Sequence, residues 1–405
     1  MRIFSWSSRG FYTRCSCQAN NMKRFYFSVP FTLLLGTLVM CVYFKDPDKL
    51  FEPKPFYNVT QNKFLQKEED VVSHTEALPQ KCEQDMSAAK LPGFALFSDQ
   101  IQSFLYYRHC RSFPMILDLP HKCGRPNTPE DIFLLLVIKS HPKNFEHREV
   151  LRKTWAKERM HNGKWIRTVF IAGTGGSGFV KKRMNKLLAL EHQLYNDILQ
   201  WDFDESFFNL TLKQILFFEW LDRRCPQVRF LMNGDDDVFA HTENMVDYLQ
   251  SLKNNDGSKH LFAGHVIRNA YPIRARWSKY YIPYQIHKKA PYPPYCGGGG
   301  YILSRYTASI IYNMSRTIEI YPIDDVYIGM CLAAAKRGPV IHMGVKTLGW
   351  YIPSQNLDKY DPCYMKELLL IHKFSPAEIF VMWNEVHNPK LQCGLRQKKW
   401  WNVVK

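Results

Sequence analysis

Three adjacent carboxylates stand in the segment Asn233-Gly234-Asp235-Asp236-Asp237, directly after the apolar run 228–232. Charges this close repel one another, and a fold that sets them at a strand end usually compensates them with a cation. Mg²⁺ or Mn²⁺ held by one or two carboxylates together with a diphosphate is a common solution; a solvated acidic turn is the plain alternative. A second acidic pair, Asp324-Asp325, opens an apparent helix within 321–329. Asp at a helix start caps free N–H groups. It can equally act as a general base that takes the proton from an attacking hydroxyl.

Other residues lend themselves to binding. Gly297–Gly300 follow Cys296; four glycines cost backbone entropy, which makes sense where a ligand approaches the backbone closely or positive φ angles are needed. A flexible loop is the other reading. Tyr280, Tyr281, Tyr284, Tyr292 and Tyr295 precede them, as platforms for sugar rings or as packing. Arg148 and Arg152 lie four apart on one helix face, with Trp155 three further along. Such a pair can hold a diphosphate, order an acidic loop or form surface ion pairs. His372 ends the apolar run 368–371, where a lone histidine reads as a core residue. The 173–178 glycine segment lacks Walker A or Rossmann spacing and reads as a turn.

The elements that must carry these residues alternate. Residues 132–138 form a continuous apolar run of strand length, as in a strand covered on both faces. A helical stretch (146–159), a strand (167–172), a helix (179–196), a strand (197–201), a helix (209–223) and a strand (228–232) follow. This alternation predicts a parallel, doubly wound α/β sheet. Ligands of such sheets bind outside the carboxyl ends of the strands, which is where the acidic triplet falls.

Residues 25–44 run twenty positions without a charge, long enough to span a bilayer as a helix. Five basic and no acidic residues precede them, and a mixed set follows. The positive-inside rule then predicts a cytosolic tail (1–24), a transmembrane signal anchor (25–44) and a luminal remainder. A cleaved signal peptide fits less well, because the run ends in bulky Val42-Tyr43-Phe44. Residues 45–81 are polar and proline-bearing, a stem. Residues 82–125 read as a disulfide-tied luminal region, and 126–400 as the main domain. Eight of the eleven cysteines lie beyond the anchor and none forms a CxxC pair, which points to disulfides in an oxidising compartment. Cys363–Cys393 and Cys296–Cys331 are the expected pairings. Sequons at Asn58, Asn209 and Asn313 are on the same side. The net charge of +17 suggests polyanionic partners, yet no zinc-finger or RNA-binding signature occurs and the topology argues against nucleic acid.

Taken in order, Arg148-x-x-x-Arg152-x-Thr154-Trp155, Phe170-Ile171-Ala172-Gly173, WDFDESFFNLTLK (201–213), NGDDDVF (233–239), YPPYCGGGGYILS (292–304) and YPIDDVYIGMC (321–331) resemble the β1,3-glycosyltransferase family, glycosyltransferase family 31. The likeness covers about 125–395. The glycine run, YPIDDVYIGMC and DPCYMKELLLIHK (361–373) look like its β1,3-N-acetylglucosaminyltransferase branch, while Cys296 before the glycines is more like the galactosyl branch. The resemblance implies a GT-A type, Rossmann-like domain behind a single N-terminal transmembrane helix, in the Golgi membrane with type II topology. It implies Mn²⁺ (or Mg²⁺) at Asp237 and His372, with Asp235, Asp236, Arg148, Arg152, Gly298 and Gly299 around the UDP-GlcNAc donor. Asp325 would be the base and Asp324 its neighbour. The implied reaction is inverting β1,3 transfer of N-acetylglucosamine to a terminal galactose; β1,3-galactosyl transfer and non-catalytic glycan binding are the alternatives. The basic charge also admits acidic acceptors such as sulfated glycans, and the enzyme class admits homo- or hetero-oligomers with other glycosyltransferases.

Overall fold

The structure, a computed structural model, describes residues 82–125, 128–288, 290–346 and 360–394. The expected tail, anchor (25–44), stem, Asn58 sequon and the last residues of the 126–400 domain lie outside the described residues. Among the described residues no helix is long and apolar enough to cross a membrane.

In chain order the elements begin with helix α1 (Asp99–Tyr107), strands β1 (Met115–Leu117) and β2 (Ile132–Lys139), and helix α2 (Phe145–Lys153). Strand β3 (Lys164–Thr174), helix α3 (Gly178–Tyr195), strand β4 (Ile198–Asp204) and helix α4 (Leu210–Arg224) follow. Next come strands β5 (Phe230–Asp235) and β6 (Val238–Ala240), helix α5 (Thr242–Ser251), and strands β7 (Phe262–Ile267) and β8 (Tyr295–Ser304). Helices α6 (Arg305–Ser315) and α7 (Asp324–Ala334), then short strands β9 (Val340–Ile341) and β10 (Val345–Lys346), lead to helix α8 (Pro362–Met365), strand β11 (Leu370–His372) and helix α9 (Pro376–Val386).

The main sheet is nine-stranded and mixed, in the order β1-β4-β3-β2-β5-β8-β7-β9, with Arg159–His161 folded back on β3. Strands β4, β3, β2 and β5 are parallel, as the alternation predicts. The all-parallel expectation fails beyond them: β8 is antiparallel to both β5 and β7, and β1 to β4. Parallel neighbours need a long crossover, usually a helix, and residues 268–294 between β7 and β8 contain none.

Every residue of β2 is buried. Ile132, Leu135 and Val137 face one core with Leu216 of α4 and Ile328 of α7. Phe133, Leu134, Leu136 and Ile138 face the other with Leu151 of α2, Met245 of α5 and Ile379 of α9. A register irregularity between Ile132 and Leu134 explains the break in alternation. Full burial of each such side chain stabilises by roughly 1.5–3 kcal/mol, which is why a strand covered on both faces has to be apolar throughout.

A second sheet, β10-β11-β6, sets His372 opposite Val238 and so beside Asp237. Disulfides join Cys82 to Cys110, Cys123 to Cys225 and Cys363 to Cys393. The Cys363–Cys393 pairing is as expected. The Cys296–Cys331 pairing is corrected: both are buried free thiols, Cys296 in β8 and Cys331 in α7.

Candidate active site

The acidic turn leaves the carboxyl end of β5, between the parallel strands and the glycine-bearing β8. Asp235 ends the strand and Asp236–Asp237 form the turn, which brings Asp235 and Asp237 together and sends Asp236 toward Ser140 and Asn144. Asp235, Asp237 and His372 bring one ligand atom each to within 4.8 Å of one another. The His372 Nε2 lies 2.8 Å from Asp237 Oδ1 and 3.4 Å from Asp235 Oδ2. Lys373 Nζ adds an ion pair to Asp237 Oδ2 at 3.1 Å. Burial works to raise the Asp237 pKa, but the His372 ring and Lys373 outweigh it and hold the carboxyl at about 2. Two carboxylates and an imidazole converging at this distance fit a divalent cation with carboxylate-rich coordination.

Asp236 departs from the donor-binding expectation. It is buried and accepts hydrogen bonds from Ser140 Oγ at 2.7 Å and Asn144 Nδ2 at 2.9 Å. Burial raises its pKa despite those two donors. It locks the turn to the loop after β2 instead of facing a ligand.

The arginines are corrected too. Arg148 is buried and grips Glu191 through Nε and Nη2, both at 2.7 Å, while also donating to Ser140 Oγ and to the carbonyls of His141 and Pro142. Arg152 grips Asp197 at 2.7 and 2.9 Å, reaches Glu191 at 2.8 Å and lies over the Tyr195 ring. The donors of Arg148 are committed internally and the Nε–Nη2 fork of Arg152 is closed on Asp197, which leaves no such fork for a diphosphate. Arg148 orders the loop whose Ser140 holds Asp236, the loop-ordering role among the three readings.

Around the second acidic pair the geometry is tight. Asp324 and Asp325 open α7, and the Asp325 Oδ2 accepts the Gly298 N–H at 2.9 Å while Oδ1 accepts the Val326 N–H at 2.8 Å. Burial, then the charge of Asp324, pushes the Asp325 pKa up to about 7, against the lowering effect of Lys139 and the two backbone N–H groups. That places the carboxylate where it can accept a proton near neutral pH.

Lys139, the last residue of β2, was not legible as a site residue. Its buried ammonium lies 2.9 Å from Asp235 Oδ1, 3.0 Å from Asp324 Oδ2 and 2.9 Å from the Gly298 carbonyl. Burial favours its neutral form, but the two carboxylates overcome this and keep its pKa well above the ordinary value. One cation thus joins both acidic clusters. The available signal was a lysine ending seven apolar residues at a carboxyl strand end, where ligands of such sheets bind.

The glycines of β8 make room for these side chains. None of Gly297–Gly300 is among the described residues with positive φ. A Cβ on Gly299 would stand 2.6 Å from His372 Nδ1, and one on Gly298 would stand 3.3 Å from Asp325 Oδ2. The register of β8 against β7 is interrupted between Cys296 and Tyr301, and in this irregular stretch His372 packs at Gly299 and Asp325 at Gly298.

A family model described as Galactosyltransferase matches residues 146–341. The human N-acetyllactosaminide beta-1,3-N-acetylglucosaminyltransferase 3 is 48% identical over 321 residues, covering 79% of this chain and 84% of that one. A human acetylgalactosaminyl-O-glycosyl-glycoprotein beta-1,3-N-acetylglucosaminyltransferase is 42% identical, covering 77% and 80%. The rat UDP-GlcNAc:betaGal beta-1,3-N-acetylglucosaminyltransferase 7 is 39% identical, covering 86% and 89%. With identity of this order running through the whole site-bearing domain, the chain belongs to the β1,3-glycosyltransferase family (glycosyltransferase family 31), in its β1,3-N-acetylglucosaminyltransferase branch.

Proposed function

We propose that this chain transfers N-acetylglucosamine from UDP-GlcNAc to the 3-hydroxyl of a terminal galactose, inverting the α-linked donor to a β product. The observation that carries the reading is the pair of acidic clusters packed against neighbouring glycines of β8, Asp325 at Gly298 and His372 at Gly299, and joined through Lys139. An inverting displacement needs a base at the acceptor and charge neutralisation at the leaving group, on opposite sides of the reacting carbon.

Asp325 takes the acceptor proton as that oxygen bonds to the anomeric carbon and the bond to the diphosphate breaks. Its hydrogen bonds from Gly298 and Val326 fix its direction. Asp235, Asp237 and His372 would hold Mn²⁺ or Mg²⁺, which neutralises the diphosphate charge when bound. Lys139 keeps Asp235 and Asp324 compensated before any ligand arrives. Asp324 raises the basicity of Asp325 through its charge.

The apolar run 25–44 anchors the chain in the Golgi membrane with type II topology, and the catalytic domain, of GT-A type, is luminal. Three disulfides among the described residues suit such an oxidising lumen. The test is a transfer assay on a secreted luminal segment, offering UDP-GlcNAc, UDP-Gal and UDP-GalNAc separately to a β-galactoside, with Mn²⁺ or EDTA. Mn²⁺-dependent transfer of N-acetylglucosamine alone supports the proposal. Transfer of galactose to a GlcNAc-terminated control would overturn the donor, and silence over a broad acceptor panel would favour a glycan-binding role.

A further inference from the structure

A second group of metal-competent side chains lies away from the active site. His241 follows β6 and caps α5, Glu243 sits in the first turn of α5, and His387 caps the end of α9. One ligand atom from each lies within 4.8 Å of the other two. We infer that His241, Glu243 and His387 form a separate binding site for a transition-type divalent cation such as Zn²⁺.

Three details point to a ligand there. The His241 Nδ1 accepts the Asn244 N–H at 3.4 Å and stands 3.2 Å from Glu243 Oε2. A nitrogen that accepts carries a lone pair, so two electron-rich atoms face each other. Glu243 Oε1 is engaged by Arg159, whereas Oε2 is buried and faces the His241 ring. A buried acceptor of this kind calls for an explanation, and an ion is one. His387 supplies the third detail: its Nδ1 lies 2.8 Å from the Trp383 carbonyl. A carbonyl only accepts, so Nδ1 carries the proton and Nε2 keeps its lone pair, the arrangement found in most metal-binding histidines.

The dimensions are suitable. Tetrahedral zinc, with bonds of about 2.0–2.2 Å, sets its ligands roughly 3.3 Å apart. The His241–Glu243 gap already matches. His387 is exposed at a helix end, packed on Trp383 at 3.8 Å, with a ligand atom within 4.8 Å of the other two. A 220 Å³ cavity beside His241, bordered by Asn244, Lys366 and the Cys363–Cys393 disulfide, leaves room for a solvent ligand. Two imidazoles with one carboxylate select Zn²⁺, Cu²⁺ or Ni²⁺ over Mg²⁺. The alternative is a proton on Nδ1, which would make the group a plain ion-pair network with Arg159.

The site stands or falls independently of the proposed transferase reaction. The experiment measures Zn²⁺ binding to the full-length protein by equilibrium dialysis and calorimetry, in wild type, His387→Gln and His372→Gln. His387 is exposed, so its variant retains the fold, checked by unchanged thermal unfolding. The expected result is that His387→Gln loses one Zn²⁺ equivalent, or binds it at least about tenfold more weakly. His372→Gln should keep that equivalent. Cobalt substitution gives a second readout, with one component of the visible absorption that His387→Gln removes and His372→Gln preserves. Wild-type stoichiometry and affinity in His387→Gln would overturn the inference and leave the ion-pair network.

Discussion

Replacing Gly299 by alanine tests the site without removing any of its functional groups. Gly299 has no positive φ, so alanine fits the backbone and carries no conformational penalty. The added methyl would lie 2.6 Å from His372 Nδ1 and 2.7 Å from its Cγ. Ordinary contact requires about 3.5 Å, so the ring must retreat by roughly 0.9 Å. Metal–ligand distances tolerate only about 0.2 Å, so the imidazole leaves its place in the cluster. The expected cost is about 10–100-fold in metal affinity, the range seen when a ligand's support is disturbed. A Mn²⁺ titration of UDP binding and of transfer would read this as a shifted midpoint, with activity partly recovered at high Mn²⁺. Gly300→Ala is the control, since the atoms nearest its methyl belong to the Leu370 side chain and not to the imidazole. An unchanged Mn²⁺ midpoint in a normally folded Gly299→Ala protein would refute the argument that the glycine exists to seat His372.

Three further outcomes follow from the same geometry. Asp325→Asn should lower turnover by about 10²–10⁴-fold with UDP affinity nearly intact; parallel loss of both would indicate a structural role. Lys139→Met removes the cation between Asp235 and Asp324, and breaking such a buried pair costs about 3–5 kcal/mol. Calorimetry should then show the melting temperature lowered by roughly 6–20 °C, and no change would remove Lys139 from its bridging role. Because Asp325 works deprotonated and its pKa is raised to about 7, kcat/KM in wild type should rise with pH through that region and then level off. Cation binding at Asp235 shifts the inflection downward by adding positive charge. A profile flat from pH 5 to 8 would contradict the assignment of Asp325 as base.

The chemistry was more legible in the sequence than its wiring. Asp235, Asp237 and Asp325 stood out because carboxylate clusters at a strand end and a helix start are costly unless used. The direction of Asp236 is not legible, because it lies in a turn and its partners Ser140 and Asn144 are more than 90 residues upstream. The partners of Arg148 and Arg152 lie 43 and 45 residues downstream, beyond what helix-face spacing reveals. Cysteine connectivity likewise depends on fold-level proximity, and Cys123–Cys225 spans 102 residues. Strand positions from β2 to β5 followed from apolar runs. The antiparallel pairing of β8 did not, and its glycines, which admit a close ligand, positive φ angles or a flexible loop, make room for His372 and Asp325.

The linkage of the product reports on the displacement itself. Full-length enzyme, UDP-GlcNAc and a β-galactoside would be incubated with Mn²⁺ and the isolated trisaccharide or longer product solved by NMR. The expected product carries N-acetylglucosamine in the β configuration on the galactose 3-oxygen, with about 10²–10⁴-fold slower formation by Asp325→Asn under the same conditions. An α linkage, or attachment to another hydroxyl, would contradict a single inverting displacement with Asp325 as its base.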